Sequence, residues 1–394
     1  VFDLLKDAGG APVVKLVNTL FLKAMEMRAS DIHIEPFENE TIVRLRIDGV
    51  LHEFRRIPPK QHSEVAARLK VLSKLDLAET RRPQDGRLQI KAGQSVVDIR
   101  LSSVPTLYGE RIVMRLLEKN TKALSMDELG LLESTQTSLR DCLEHSFGMV
   151  LVTGPTGSGK TTTLYTVLRE VSSPQRNVLT IEDPVEYRMA GVGQIQVNER
   201  IDVTFAAGLR SILRQDPDIV MVGEIRDSET ANIAVNAALT GHLVLSTLHT
   251  NDAPSAATRL IDLKVPPFLL SSCLLGVIAQ RLTRRLCEQC KRQVDHEAAA
   301  WRRLGFENVP KGTTFEPVGC PACMNTGFKG RFGVYEMMRV DEEMSSRIAR
   351  EEDARALRSA ARHKGMRSLL EDAAQKVLLG RTSLDEAVRV GRAQ

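Results

Sequence analysis

The run Gly154-Pro155-Thr156-Gly157-Ser158-Gly159-Lys160-Thr161 limits what this chain can fold into more than any other segment. An apolar stretch, Met149–Thr153, precedes it, and a helical pattern, Thr161–Val171, follows. Glycines at these intervals let successive backbone N–H groups converge on one point without Cβ interference. A helix that starts at Lys160 aims its positive end at the same point, so the unit is built to hold an anion such as a phosphate. A buried strand feeding such a loop needs parallel neighbours. Val178–Ile181, Ile219–Val222 and Leu243–Ser246 read as those strands, alternating with helices at Phe205–Arg214, Glu229–Leu239 and Ser255–Leu263. The rhythm predicts a doubly wound α/β core over residues 146–284.

At 394 residues the chain is too long for one core, since domains run to roughly 150 residues. Residues 1–120 read as a mixed α+β domain with an antiparallel sheet. A helix follows Pro12, and Thr41–Arg46 turns at Asp48-Gly49 into Val50–Phe54 as a hairpin. Residues 121–145 read as a linker with one short helix, 285–328 as a cysteine module and 329–394 as a helical tail. Phe268–Ala279 is apolar over 12 residues and contains Ser271, Ser272 and Gly276, which reads as a buried core helix. It falls short of the roughly 20 apolar residues of a membrane helix. The opening Val1-Phe2-Asp3-Leu4-Leu5-Lys6-Asp7 lacks the order of a signal peptide and has no Met, so a cytoplasmic fragment of a longer protein is expected.

The loop residues Gly154 to Thr161, with Thr162 beside them, fit the G-x-x-x-x-G-K-[ST] pattern of nucleoside-triphosphate sites, most directly ATP. Lys160 is expected to reach the outer phosphates and the Thr161 hydroxyl to hold Mg²⁺. Hydrolysis needs a carboxylate that orients water and an acidic oxygen near the metal. Glu182 and Glu224 stand at two strand ends in the same sheet; elsewhere acids at such ends often only cap helices. Gly223 sits where an Asp is usual, which leaves Glu224 to serve at the magnesium and Glu182 as a candidate for activating water. His249, at a third strand end, is a candidate γ-phosphate sensor or an ordinary structural histidine. Arg210 and Arg214 are read as sharing a helix face, and Arg100 and Arg115 lie in the first domain; each has a plain salt-bridged reading as well. Cys287, Cys290, Cys320 and Cys323 form two C-x-x-C pairs, suited to structural Zn²⁺; a redox dithiol is the competing reading.

Four segments in order carry a resemblance: Gly154–Leu164, Leu179–Glu186, Leu213–Asp218 continuing through Gly223–Asp227, and Thr240–Asp252. They are similar to the Walker A, Asp box, Walker B and His box of the bacterial secretion-superfamily ATPases. Asp31–Glu35 and Gln84–Arg87 look like that family's second N-terminal domain. The cysteine quartet looks like the assembly-type members. Val97–Arg100 and Gly109–Arg115 look most like the type II secretion ATPase, general secretion protein E, with the pilus-assembly ATPase as runner-up. The resemblance implies a RecA-like core, ATP, Mg²⁺ and Zn²⁺ as cofactors, and a homo-hexamer working under an inner-membrane platform. It also implies Arg100, Arg115, Arg210 and Arg214 at nucleotide contacts or a subunit interface, with Glu182, Glu224 and His249 completing the catalytic site. The family's first N-terminal domain has no counterpart in this sequence. A nucleic-acid motor is the rival class. The formal net charge of +4 and an aromatic content of 4% argue against it, because such motors need basic grooves and stacking platforms.

Overall fold

The computed structural model describes residues 2–4, 11–93, 95–118, 124–307, 310 and 312–391. The expectations placed on Val1, on residues 5–7 and on the boundary at 119–123 lie outside the described residues. The chain divides into two compact units, Val1–Thr121 and Lys122–Gln394.

The first unit holds β1 (Phe2–Asp3), α1 (Pro12–Glu26), β2 (Asp31–Pro36), β3 (Thr41–Ile47), β4 (Val50–Ile57), α2 (Pro59–Leu72), β5 (Gln84–Ala92), β6 (Ser95–Thr106) and β7 (Gly109–Glu118). Its sheet runs β1-β5-β6-β7-β2-β3-β4, antiparallel except for β1 on β5. Asp48 (φ 49°) and Gly49 (φ 87°) both take the left-handed conformation that a two-residue hairpin requires. Helix α1 buries Val17, Leu20, Phe21 and Ala24, a spacing that puts them on one face.

The second unit opens with α3 (Met126–Leu129) and α4 (Glu133–Leu143), two helices where the sequence suggested one. The alternating core follows: β8 (Gly148–Thr153), α5 (Lys160–Val171), β9 (Val178–Glu182), β10 (Val192–Gln196), α6 (Phe205–Ile212), β11 (Ile219–Val222), α7 (Ser228–Leu239), β12 (Leu243–Leu248), α8 (Pro254–Asp262) and α9 (Pro267–Cys273). Then come β13 (Leu274–Leu286), β14 (Arg292–Val294), α10 (Ala298–Arg302), β15 (Thr314–Glu316) and β16 (Phe328–Arg339). Helices α11 (Glu342–Ala349), α12 (Ala354–His363), α13 (Leu369–Leu378) and α14 (Leu384–Gly391) close the chain. The large sheet runs β10-β9-β11-β12-β8-β13-β16, parallel throughout except for β16. β8, β11 and β12 are buried along their whole length, as strands covered on both faces must be.

Two expectations change. The apolar run Phe268–Ala279 is not one helix: α9 stops at Cys273 and the remainder begins β13. Gly276 and the β-branched pair Val277-Ile278 favour a strand there. Pairing with β8 on one side and β16 on the other satisfies the strand's backbone on both edges. The tail after residue 329 is likewise not wholly helical, since β16 supplies the last strand of the large sheet before α11 begins. Among the described residues, no helix is long and apolar enough to cross a membrane.

Candidate functional site

β8 ends at Thr153, and the chain turns through Gly154 (φ 150°) into the loop. A Cβ on Gly154 would lie 2.6 Å from the Gln280 carbonyl oxygen, so only glycine lets the loop pass β13 this closely. Gly159 (φ 88°) caps α5 in a left-handed conformation. Pro155, Thr156 and Gly157 form the exposed rim, while Ser158 is buried. The Gln280 side chain donates to the Ser158 carbonyl at 2.6 Å and pins the loop from beneath. The Ser158 hydroxyl has no hydrogen-bond partner, which is the mark of a cradle shaped for a ligand oxygen.

Lys160 sits at the first position of α5 and folds back into its own loop, donating to the Gly154 oxygen at 2.7 Å and the Pro155 oxygen at 3.2 Å. Burial lowers its pKa to about 8; the Glu224 charge opposes that shift and the Arg281 charge adds to it. Both groups therefore stand close enough to the ammonium to act on it. Thr161 is exposed in the first turn of α5, and the Thr162 carbonyl accepts from the Thr166 hydroxyl.

Three neighbouring strand ends supply the acids and the histidine. Glu224 follows β11, with its side chain 15% exposed; His249 follows β12 and places Nε2 3.3 Å from the Glu224 carboxylate. Arg226 pairs with Glu224 as well. Thr247 donates to the Gly223 oxygen at 2.7 Å, and Thr153 and Thr250 share a 2.7 Å hydroxyl contact that ties β8 to the His249 loop. Gly223 lies where β9 and β11 run close together. A Cβ there would stand 3.3 Å from the Ile181 oxygen and 3.4 Å from the Glu182 Cα, a tight fit between β9 and β11 that a side chain enters only if its neighbours give by a few tenths of an ångström.

Glu182, at the end of β9, is only 2% exposed. Its carboxylate accepts from Thr180, Gln194 and Tyr165. The structure thus brings Lys160, Glu224 and His249 together and holds the Glu182 carboxylate in a buried hydrogen-bond network. The expected arginine pair on one helix face does not form: α6 ends at Ile212, so Arg214 lies beyond it and donates to Ser211, while Arg210 pairs with Glu229. In the first unit, Arg115 on β7 stands directly opposite Arg100 on β6 and holds Asp31 at 3.0 Å.

Residues that sequence reasoning passed over are Tyr165, Gln280 and Arg281. Arg281 is buried and donates to the Gln280 oxygen and to both the main-chain and side-chain oxygens of Asn251, joining β13 to the His249 loop. A signal existed for Tyr165: a tyrosine on the buried face of a helix must place its hydroxyl against an acceptor.

The four cysteines converge in the second unit, with all sulfurs within 4.8 Å of one another. Cys287–Cys320 measures 3.8 Å, and Cys290–Cys323 and Cys320–Cys323 each measure 3.7 Å. A tetrahedron with Zn–S bonds of about 2.3 Å has edges of about 3.8 Å, so the quartet fits zinc. Burial works against the Cys323 thiolate, yet the N–H groups of Cys320 and Gly327, each 3.2 Å away, together with the Cys290 and Cys320 side chains outweigh it and bring the thiol down to about 6.

A glycine-rich loop at the first strand of a parallel sheet, with Lys160 and an acid–histidine pair on the adjacent strand ends, defines a RecA-like P-loop nucleoside triphosphatase. Residues 6–389 match the family described as type II/IV secretion system protein. The chain is 50% identical over 392 residues to the type II secretion system protein HxcR of Pseudomonas aeruginosa, covering 100% of this chain and 80% of that protein. It is 49% identical to the type II secretion system ATPase E of Vibrio cholerae, covering 98% of this chain and 77% of the relative. The ATPase DotB of Legionella pneumophila shares the fold, with a TM-score of 0.68 at 22% identity over 98% of each chain. This chain belongs to the type II/IV secretion system protein family.

Proposed function

We propose that this chain is the ATP-hydrolysing motor of a type II secretion system, driving pseudopilus assembly and protein export across the outer membrane. It works as a cytoplasmic homo-hexamer, peripheral to the inner membrane through a platform protein. The reading rests on one observation: Lys160, Glu224 and His249 converge beside the Gly154–Thr161 loop, at the ends of β8, β11 and β12. The whole-length likeness to secretion ATPases supports the same conclusion.

The loop amides and the α5 N-terminus bind the triphosphate, and Lys160 exchanges its two loop carbonyls for the outer phosphate oxygens. Thr161 and Glu224 would hold Mg²⁺, which offsets charge developing on the transferred phosphoryl group. His249 keeps Glu224 oriented and reports on the outermost phosphate. The arginines Arg100, Arg115, Arg210 and Arg214 serve hydrolysis in the assembled ring. Cys287, Cys290, Cys320 and Cys323 would hold Zn²⁺ as a closed structural site.

The test is ATP turnover measured against enforced oligomeric state. Hexamer turnover should exceed monomer turnover, and Arg100→Ala and Arg115→Ala should each lower hexamer turnover. A monomer as active as the hexamer, with both variants unimpaired, overturns the ring mechanism.

A further inference from the structure

Glu182 carries a carboxylate with no free side. Oε1 accepts from the Thr180 hydroxyl at 2.6 Å and from Gln194 Nε2 at 3.1 Å, and Oε2 accepts from the Tyr165 hydroxyl. An ionised carboxylate offers about four lone-pair sites. Three are taken, and the residue is only 2% exposed. Held this way, Glu182 cannot take a proton from an attacking water.

Tyr165 is fully buried and lies on α5, the helix whose first residue is Lys160. Its ring meets Tyr187 edge-on, with centroids 4.3 Å apart, and its oxygen accepts from the Glu186 N–H at 3.2 Å. One phenol therefore joins the phosphate-binding helix to the end of β9 and to the segment that follows it. Burial, then the hydrogen bond to Glu182, raises its pKa, so the phenol remains a donor at every working pH. Lys160 and Tyr165 lie on this one helix, so any shift of α5 would move both.

We propose that Tyr165 is a latch: its hydroxyl holds the Glu182 carboxylate out of service, and hydrolysis requires Glu182 to exchange the phenol for the attacking water. The inference rests on the reading of Glu182 as a water-activating acid. Tyr165 is a positioning residue that acts through Glu182.

Steady-state ATP turnover of the full chain tests it. Tyr165→Phe keeps the ring against Tyr187 and removes only the hydroxyl. Breaking one net hydrogen bond sets the scale, so kcat should rise about threefold to tenfold with KM unchanged. The rise should vanish in a Glu182→Gln background. Thr180→Val removes one of the two hydrogen bonds to the other oxygen at nearly constant shape and should move kcat the same way by less. A melting curve identifies any variant that fails to fold; if Tyr165→Phe does, Thr180→Val decides. Unchanged or lower kcat in a folded Tyr165→Phe, with Glu182→Gln inactive, overturns the latch and leaves Glu182 as the acid. Full turnover in Glu182→Gln overturns the underlying reading instead.

Discussion

Lys376 and Asp372 form an ion pair one turn apart on α13, with side chains 0% and 1% exposed. The ammonium also donates to the Gly333 oxygen at 2.7 Å and faces the rings of Tyr335 and Phe332. The carboxylate accepts the Tyr335 N–H at 2.8 Å. This pair fixes α13 to β16, the last strand of the ATPase sheet. Lys376→Met leaves a buried charge facing a lone N–H, and stranding one member of such a pair costs about 3–5 kcal/mol. That is a large share of the roughly 5–15 kcal/mol that holds a domain together. Burial already raises the Asp372 pKa in the intact protein and lowers that of Lys376. Without the ammonium the folded carboxyl takes up a proton that the unfolded chain releases. A raised folded pKa contributes stability below the unfolded value and loses it as pH rises. The deficit should therefore be smallest below about pH 4 and grow by about 1.4 kcal/mol per pH unit above that until the folded carboxyl itself ionises. The chain's single tryptophan, Trp301, is buried among Leu369, Ala373, Ala374 and Val377, so urea unfolding followed by its fluorescence reads this region directly. The double variant Lys376→Met with Asp372→Asn removes both charges, keeps an acceptor for Tyr335 and should recover all but about 1 kcal/mol. Single and double variants unfolding at the same urea concentration would refute the reasoning.

Three further outcomes are expected. Because the Lys160 pKa is lowered to about 8, its charge is lost as pH rises through that value, so ATP affinity measured by titration should weaken between pH 7 and pH 9; constant affinity across that range counts against the buried ammonium. Cys323→Ser should reduce bound zinc from about one per chain to near zero by metal analysis and lower the melting temperature, because the thiolate with the best hydrogen-bonded sulfur is gone. Gly208→Val should destabilise by about 1–3 kcal/mol, since a Cβ there would already stand 2.6 Å from the Ile181 side chain; a melting curve that matches the parent would contradict the tight packing of α6 on β9.

Much of the fold was legible because its signals are local. The loop, the alternating buried strands and the two cysteine pairs each announce themselves within a dozen residues. What stayed hidden depended on contacts remote in sequence. β13 looked like a helix because an apolar run has no period of its own; its strand character comes from β8 and β16 on either side. The Glu182 network is invisible in sequence because Tyr165 and Gln194 approach it from elements 17 and 12 residues away. Gly223 looked like a lost aspartate, and the nearness of β9 to that position could not be read from sequence. Arg214 was placed on α6 by periodicity, but the helix ends before it, ahead of Asp216 (φ 50°) and Pro217.

The most direct test of the account is ATP turnover by Lys160→Ala and Glu224→Gln beside the parent chain. Lys160→Ala should abolish measurable turnover. Glu224→Gln should lower kcat by about a hundredfold or more with nucleotide binding largely kept, as expected when a group that serves the transition state is removed. Parental turnover in either folded variant would contradict the assignment of this loop and its neighbouring strand ends as the ATPase site.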